Sequence, residues 1–159
     1  GDVEAVGAGT DLQIGDRVAY CSAGFGAYSE ALNLPASRLV KVPDGIDYEQ
    51  AAACLLKGQT AEYLIQRTYA LQSGETCLFH AAAGGVGLLF GQWAASIGAT
   101  AIGTVSSAEK AELAGEIFGH VASGRIKIEI NQHYALQDAA QAHRDLESRK
   151  TTGSSIFVI

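Results

Sequence analysis

Two different periods govern the apolar positions of this chain. In the first third they come in short bursts between Gly- or Asp-containing turns. Residues 3–7, 17–20, 29–32 and 39–43 each read as a short strand, the last ended by Pro43. The period then lengthens. Residues 48–56 predict a helix and 58–71 a longer one, with Leu64, Ile65 and Thr68 on one stripe, until Ser73-Gly74 breaks it. A three-residue apolar run at 77–79 reads as a buried strand. Residues 86–97 follow as a helix, Gly98 stops it, and 100–105 form a second strand. Near the far end, 125–130 alternate charged residues with isoleucine, as a half-exposed strand does. An amphipathic helix is expected over 136–149 and a last strand over 155–159. No repeat or low-complexity tract interrupts this order.

The strand at 77–79, the small-residue turn after it and the helix from 86 stand in the order that a dinucleotide site requires. The turn reads Ala81-Ala82-Ala83-Gly84-Gly85-Val86-Gly87. Glycine lets backbone approach a diphosphate, and the first turn of a helix, here Val86-Gly87-Leu88, offers N–H groups that lack intrahelical acceptors. The spacing Ala81-x-x-Gly84-x-x-Gly87 has alanine where the common fingerprint has its first glycine. Taken alone, such a triplet is also compatible with a turn that only packs a helix on a sheet. The flanking strands favour nucleotide binding.

The second strand bears on which nucleotide. A site for NAD carries Asp or Glu about 20 residues beyond the fingerprint, on the ribose hydroxyls. Here the strand ends Thr104-Val105-Ser106-Ser107, with no carboxylate at its tip and Lys110 three residues on. Hydroxyls and a lysine suit a 2′-phosphate, so NADPH is favoured over NADH. Ser107 as a helix cap and Lys110 as a solvated side chain is compatible with the same role.

The run from Gly74-Glu75-Thr76-Cys77-Leu78 through the glycine turn to Gln92-Trp93-Ala94 resembles the signature of the quinone oxidoreductase family. These are zinc-free, zeta-crystallin-like medium-chain dehydrogenase/reductases. Glu49-Gln50-Ala51-Ala52-Ala53, Leu56-Lys57-Gly58-Gln59-Thr60-Ala61, Gly103-Thr104-Val105-Ser106-Ser107, Ala122-Ser123-Gly124-Arg125-Ile126 and Glu147-Ser148-Arg149-Lys150-Thr151-Thr152-Gly153-Ser154-Ser155 resemble further parts of it. Ala95 departs from the signature, which ends in a basic residue. The resemblance implies an α/β chain: a partial GroES-like β-barrel lobe (1–55 and 125–159) plus a partial Rossmann-type parallel-sheet lobe (56–124). It implies an NADPH:quinone reductase that transfers hydride to a quinone or similar electrophilic acceptor, in the cytoplasm, with a homodimer as the candidate assembly.

The resemblance also implies site residues. Thr60 and Tyr63 match positions near the nicotinamide, and Arg149 matches a basic residue that approaches the NADP phosphates. Read on their own, these are a helix hydroxyl, a packing aromatic and a solvated arginine, and both readings stay open. The cofactor-binding set is thus Thr60, Tyr63, Gly84, Gly85, Val86, Gly87, Leu88, Ser106, Lys110 and Arg149. No catalytic side chain is nominated. Lys57 reads as an exposed helix residue and His80 as a structural one.

Two parts of the family pattern have no sequence here. The chain opens in the middle of the catalytic-type lobe, and near Ala114-Gly115 it passes from the helix after the second nucleotide-lobe strand to a helix near the end of the pattern. Either the protein is shortened from within or these 159 residues belong to a longer one. A two-stranded parallel sheet exposes an apolar face and an unpaired edge, so the second origin is the expectation. NADPH binding without turnover and an inert, internally deleted fragment are the alternatives to an enzyme.

Composition narrows the rest. Apolar residues make up 48% of the chain, enough for a core. A net charge of −6 with no basic run argues against a nucleic-acid surface. No apolar run is long enough to span a bilayer. Cys21, Cys54 and Cys77 are scattered and read as reduced thiols. His80, His120, His133 and His143 lack metal-ligand spacing, so no metal is expected.

Overall fold

The computed structural model describes residues 1–22, 24–121, 128 and 130–158. Most of the strand expected at 125–130, and the matched run 122–126, lie outside the described residues.

Short β1 (Val18–Ala19) and β2 (Val40–Lys41) pair antiparallel. Helix α1 (Tyr48–Glu62) starts at a capping box. The Gln50 N–H donates to the Asp47 carboxylate (2.7 Å) and the Asp47 N–H to the Gln50 side chain (3.2 Å). The helix runs straight through Gly58 rather than splitting there. A Cβ at residue 58 would meet the Cys54 sulfur at 3.3 Å, so glycine makes room for the thiol on the preceding turn. A π-helical turn, Tyr63–Thr68, ends it and buries Ile65; Leu64 is partly buried and Thr68 exposed.

The nucleotide-type unit follows as β3 (Thr76–His80), α2 (Gly85–Ile97), β4 (Thr100–Thr104) and α3 (Ala108–Val121). Gly98 ends α2 in the left-handed region (φ 88°), the role its position suggests. β3 and β4 are parallel, with Leu78 opposite Ile102. Alternation sends Cys77, Phe79 and Ala101 inward. There they meet Ile65, Leu89, Phe90 and Ala94, and Phe79 and Phe90 stack with ring centres 4.4 Å apart. The opposite face is bare: Leu78 is 62% and Ile102 55% exposed. The apolar face expected of a two-stranded sheet is therefore present among the described residues. Helix α3 runs without a break across Ala114-Gly115.

A second strand–helix–strand unit closes the chain: β5 (Ile130–Ala135), α4 (Ala139–Glu147) and β6 (Ser154–Val158), with β5 and β6 parallel. The Ser154 hydroxyl donates to the Ala53 carbonyl (3.2 Å, buried), which fixes β6 against α1.

Two expected strands do not form. Around 3–7, a bridge joins Asp2 to Arg17 and Val3 bonds to Asp16 and Gly15, but Val6 is 45% exposed with no strand beside it among the described residues. Residues 29 and 30 are bends and 31 and 32 irregular, with the Ser29 hydroxyl donating to the Gly26 carbonyl. A short apolar burst between turns cannot by itself make a strand where no neighbouring segment supplies the ladder bonds. Among the described residues no helix is long and apolar enough to cross a membrane.

Candidate functional site

The glycine turn is built tightly. Ala81 occupies the left-handed region at φ 58°, where the fingerprint's first glycine is expected. Its carbonyl accepts the Gly84 N–H (2.9 Å), and the Ala82 N–H reaches across to the Thr104 carbonyl at the end of β4 (3.0 Å). Gly87 is sterically obligatory. A Cβ there would sit 2.5 Å from the Ala82 oxygen and 2.7 Å from that of Ala81. Gly103 on β4 gives way to the Ala82 methyl in the same manner, at 2.3 Å from a would-be Cβ. Thus β3, the turn and β4 lock together through backbone.

The first-turn N–H groups of Gly85, Val86 and Gly87 stand where a helix has no acceptor of its own for them. The Leu88 N–H is already committed to the Gly84 carbonyl (2.9 Å), and its side chain is buried, so Leu88 serves the core. His80 holds the strand ends together: its Nδ1 lies 3.0 Å from the Thr104 hydroxyl, as its structural reading anticipated.

Two further segments cover one side of the turn. Gly153 bridges Gly84, and a Cβ on Gly85 would meet the Gly153 carbonyl oxygen at 2.8 Å. The other segment is Lys57, which sequence reading put at an exposed position. It is half-buried instead, its Cδ and Cε 2.6 Å from a would-be Gly85 Cβ and its ammonium donating to the Ala53 carbonyl (3.4 Å). Burial lowers its pKa, with the nearby Cys54 a smaller opposing influence; burial raises that of the Cys54 thiol. The stem of a lysine is apolar, and packing on the neighbouring helix overrides the default that lysines are solvated.

A groove of about 520 Å³ opens beyond the carboxyl end of β4. Ser106, Ser107, Glu109, Lys110, Leu113, Arg149, Lys150 and Thr152 line it. Ser107 caps α3 by accepting the Lys110 N–H (3.3 Å), and the Lys110 ammonium donates to the Arg149 carbonyl (3.3 Å). Arg149 is the second non-glycine residue at positive φ (58°). It follows the end of α4, where its N–H bonds the Leu146 carbonyl (3.0 Å) and that of Lys150 the Asp145 carbonyl (3.1 Å). None of Lys110, Arg149 and Lys150 has a carboxylate within ion-pair distance among the described residues.

So the structure gathers Ser106, Lys110 and Arg149 in one groove. The turn Gly84 to Gly87 is linked to it through Thr152 on the groove wall and Gly153 on the turn. Thr60 and Tyr63 stand apart. The Thr60 hydroxyl bonds back to the Leu56 carbonyl (2.9 Å) inside α1, and Tyr63 is 55% exposed. Sequence reading missed Lys150, Thr152 and Glu109 as groove residues. Lys150 was legible only as one charge among several in a polar helix end, and Glu109 as an acid in the first turn of α3.

A family profile described as zinc-binding dehydrogenase matches residues 18–156. The quinone oxidoreductase of Pseudomonas aeruginosa is 35% identical, over 99% of this chain and 79% of that protein. That alignment spans 258 positions against 159 residues here, so about a hundred positions of the relative have no counterpart. The 2-haloacrylate reductase of a Burkholderia species is 42% identical over 93% of this chain and 43% of its own length. The crystal structure of Escherichia coli quinone oxidoreductase complexed with NADPH superposes with a TM-score of 0.91 at 30% identity, covering 100% of this chain and 80% of that one. The chain belongs to the quinone oxidoreductase family of medium-chain dehydrogenase/reductases, a family of oxidoreductase enzymes.

Although the profile's description names zinc, no group of three His, Cys, Asp or Glu side chains among the described residues could hold a metal. The described side chains therefore do not fit a resident zinc ion.

Proposed function

We propose that this chain binds NADPH and reduces a quinone or a similarly electrophilic alkene. The observation that carries the reading is the trio Lys110, Arg149 and Lys150, without carboxylate ion-pair partners among the described residues, beside Ser106 at the carboxyl end of β4. Unpaired cations converging on one groove of a chain with net charge −6 call for an anion. That place in an α/β unit is where the adenosine ribose of a dinucleotide sits, and a 2′-phosphate distinguishes NADPH from NADH there.

In this reading the N–H groups of Gly85, Val86 and Gly87 bind the diphosphate, with Gly84 shaping the approach. Ser106, Lys110 and Arg149 bind the 2′-phosphate. Thr60 and Tyr63 approach the nicotinamide end, and Lys57 adds a positive charge beside the turn. The lobes divide as 1–55 with 125–159, and 56–124. The chemistry that NADPH supplies when bound is hydride transfer; the protein's share is to orient it and exclude water. The relatives named above support both acceptor classes, since one is a quinone oxidoreductase and another a 2-haloacrylate reductase.

The test is consumption of NADPH in the presence of 1,4-benzoquinone and, separately, a 2-haloacrylate. Turnover with either supports the proposal. A second reading, NADPH binding without turnover, draws on the bare Leu78–Ile102 face of a nucleotide sheet that is two strands wide among the described residues. Binding with no turnover on any such acceptor selects it.

A further inference from the structure

We infer that Lys150 is a specificity-determining residue for the phosphorylated nucleotide, acting with Lys110 and Arg149 on the 2′-phosphate; this rests on the reading that the groove takes that phosphate. The argument is one of charge. A phosphate monoester carries close to two negative charges near neutral pH. Lys110 and Arg149 supply two positive charges to the groove, but Glu109 lines it too and cancels one. With Lys150 the lining returns to a net of two, the complement of the dianion.

The local backbone puts Lys150 there. The two bonds that close the end of α4, Arg149 N–H to Leu146 and Lys150 N–H to Asp145, turn the chain at Arg149 through a left-handed residue. In a continuing helix, side chains 149 and 150 would diverge by about 100°. After this turn both residues line the same groove. Holding a non-glycine residue at positive φ is unfavourable, and such outliers cluster where a site demands them. Lys150 is exposed and, among the described residues, its only bond is through backbone N–H, so its side chain is available to a ligand and its truncation spares the bond that closes the turn.

The experiment is calorimetric titration of the full chain with 2′,5′-ADP and with 5′-AMP, for the parent and for Lys150→Ala, Lys150→Glu and Lys150→Arg. The inference expects Lys150→Ala to weaken 2′,5′-ADP about three- to tenfold, the range for one exposed charge-assisted contact, with 5′-AMP unchanged. Lys150→Glu loses more, and Lys150→Arg keeps the parent's preference. If the parent prefers 2′,5′-ADP but Lys150→Ala leaves that preference intact, the inference fails and the groove assignment stands. It fails equally if Lys150→Ala weakens both nucleotides by the same factor. If the parent itself shows no preference, the groove assignment fails and takes this inference with it.

Discussion

The Lys110 ammonium donates to the backbone carbonyl of Arg149 across 3.3 Å, joining the first turn of α3 to the end of α4. The bond uses backbone on the Arg149 side, so it constrains where that residue sits without neutralising its guanidinium. Arg149 stands meanwhile at φ 58°, in a position that helix ends give to glycine. Replacing it with glycine should therefore separate stability from function. Arg149→Gly is expected to raise unfolding free energy by about 0.5–1 kcal/mol, the left-handed penalty less glycine's extra chain entropy, while weakening NADPH binding. Urea denaturation and a nucleotide titration on the same preparation check both directions.

The glycine turn makes the opposite demand. Gly87→Ala puts a methyl 2.5 Å from a backbone oxygen that cannot yield without breaking the β3–β4 lock. It is expected to destabilise the chain by about 3 kcal/mol, at the severe end for overpacking, and to abolish nucleotide binding. Ala81→Gly, at the left-handed turn residue, should be neutral or stabilising by up to about 1 kcal/mol. Thermal melts of the two variants compare them directly.

Lys57 gives a pH dependence. Burial lowers its folded-state pKa below the ordinary 10.5, so the folded chain surrenders this proton before the unfolded chain does. Below the folded pKa both states are protonated and the folded state carries the whole desolvation penalty. That penalty fades as pH rises through the folded pKa towards 10.5. Lys57→Met should thus be more stable than the parent at pH 7, with the gain shrinking in alkaline buffer. Denaturation midpoints at pH 7 and near pH 10 measure the difference.

The two faces of the β3–β4 sheet differ enough to test by truncation. Phe90, 7% exposed and stacked on Phe79, should cost about 3–5 kcal/mol as Phe90→Ala. Leu78→Ala removes a side chain that is 62% exposed and should cost less than about 1 kcal/mol. Equal losses would mean that the outer face is covered in solution.

The nucleotide-type unit was legible because its signals are local. An apolar run, small residues and Gly98 mark β3, the turn and the end of α2 within 25 residues, and the structure agrees closely. The early strands were not legible in the same way. Residues 29–32 read as a short strand between turns, yet strand formation depends on a partner remote in sequence. Lys57 and Lys150 show the same limit for a site. A lysine's default is solvent: at Lys57 a glycine 28 residues away overrides it, whereas Lys150 stays exposed and a left-handed turn brings it to the groove. Arg149 was reachable from sequence only through family resemblance; its backbone conformation adds an independent physical reason to single it out.

The most direct measurement is a fluorescence titration of the chain with NADPH and, in parallel, NADH. The groove of Lys110, Arg149 and Lys150 requires enhanced nucleotide emission with NADPH at about tenfold or more lower concentration than with NADH, a gap that narrows in Lys110→Ala and closes further in high salt. Equal affinity for the two nucleotides, or a preference untouched by Lys110→Ala, contradicts it.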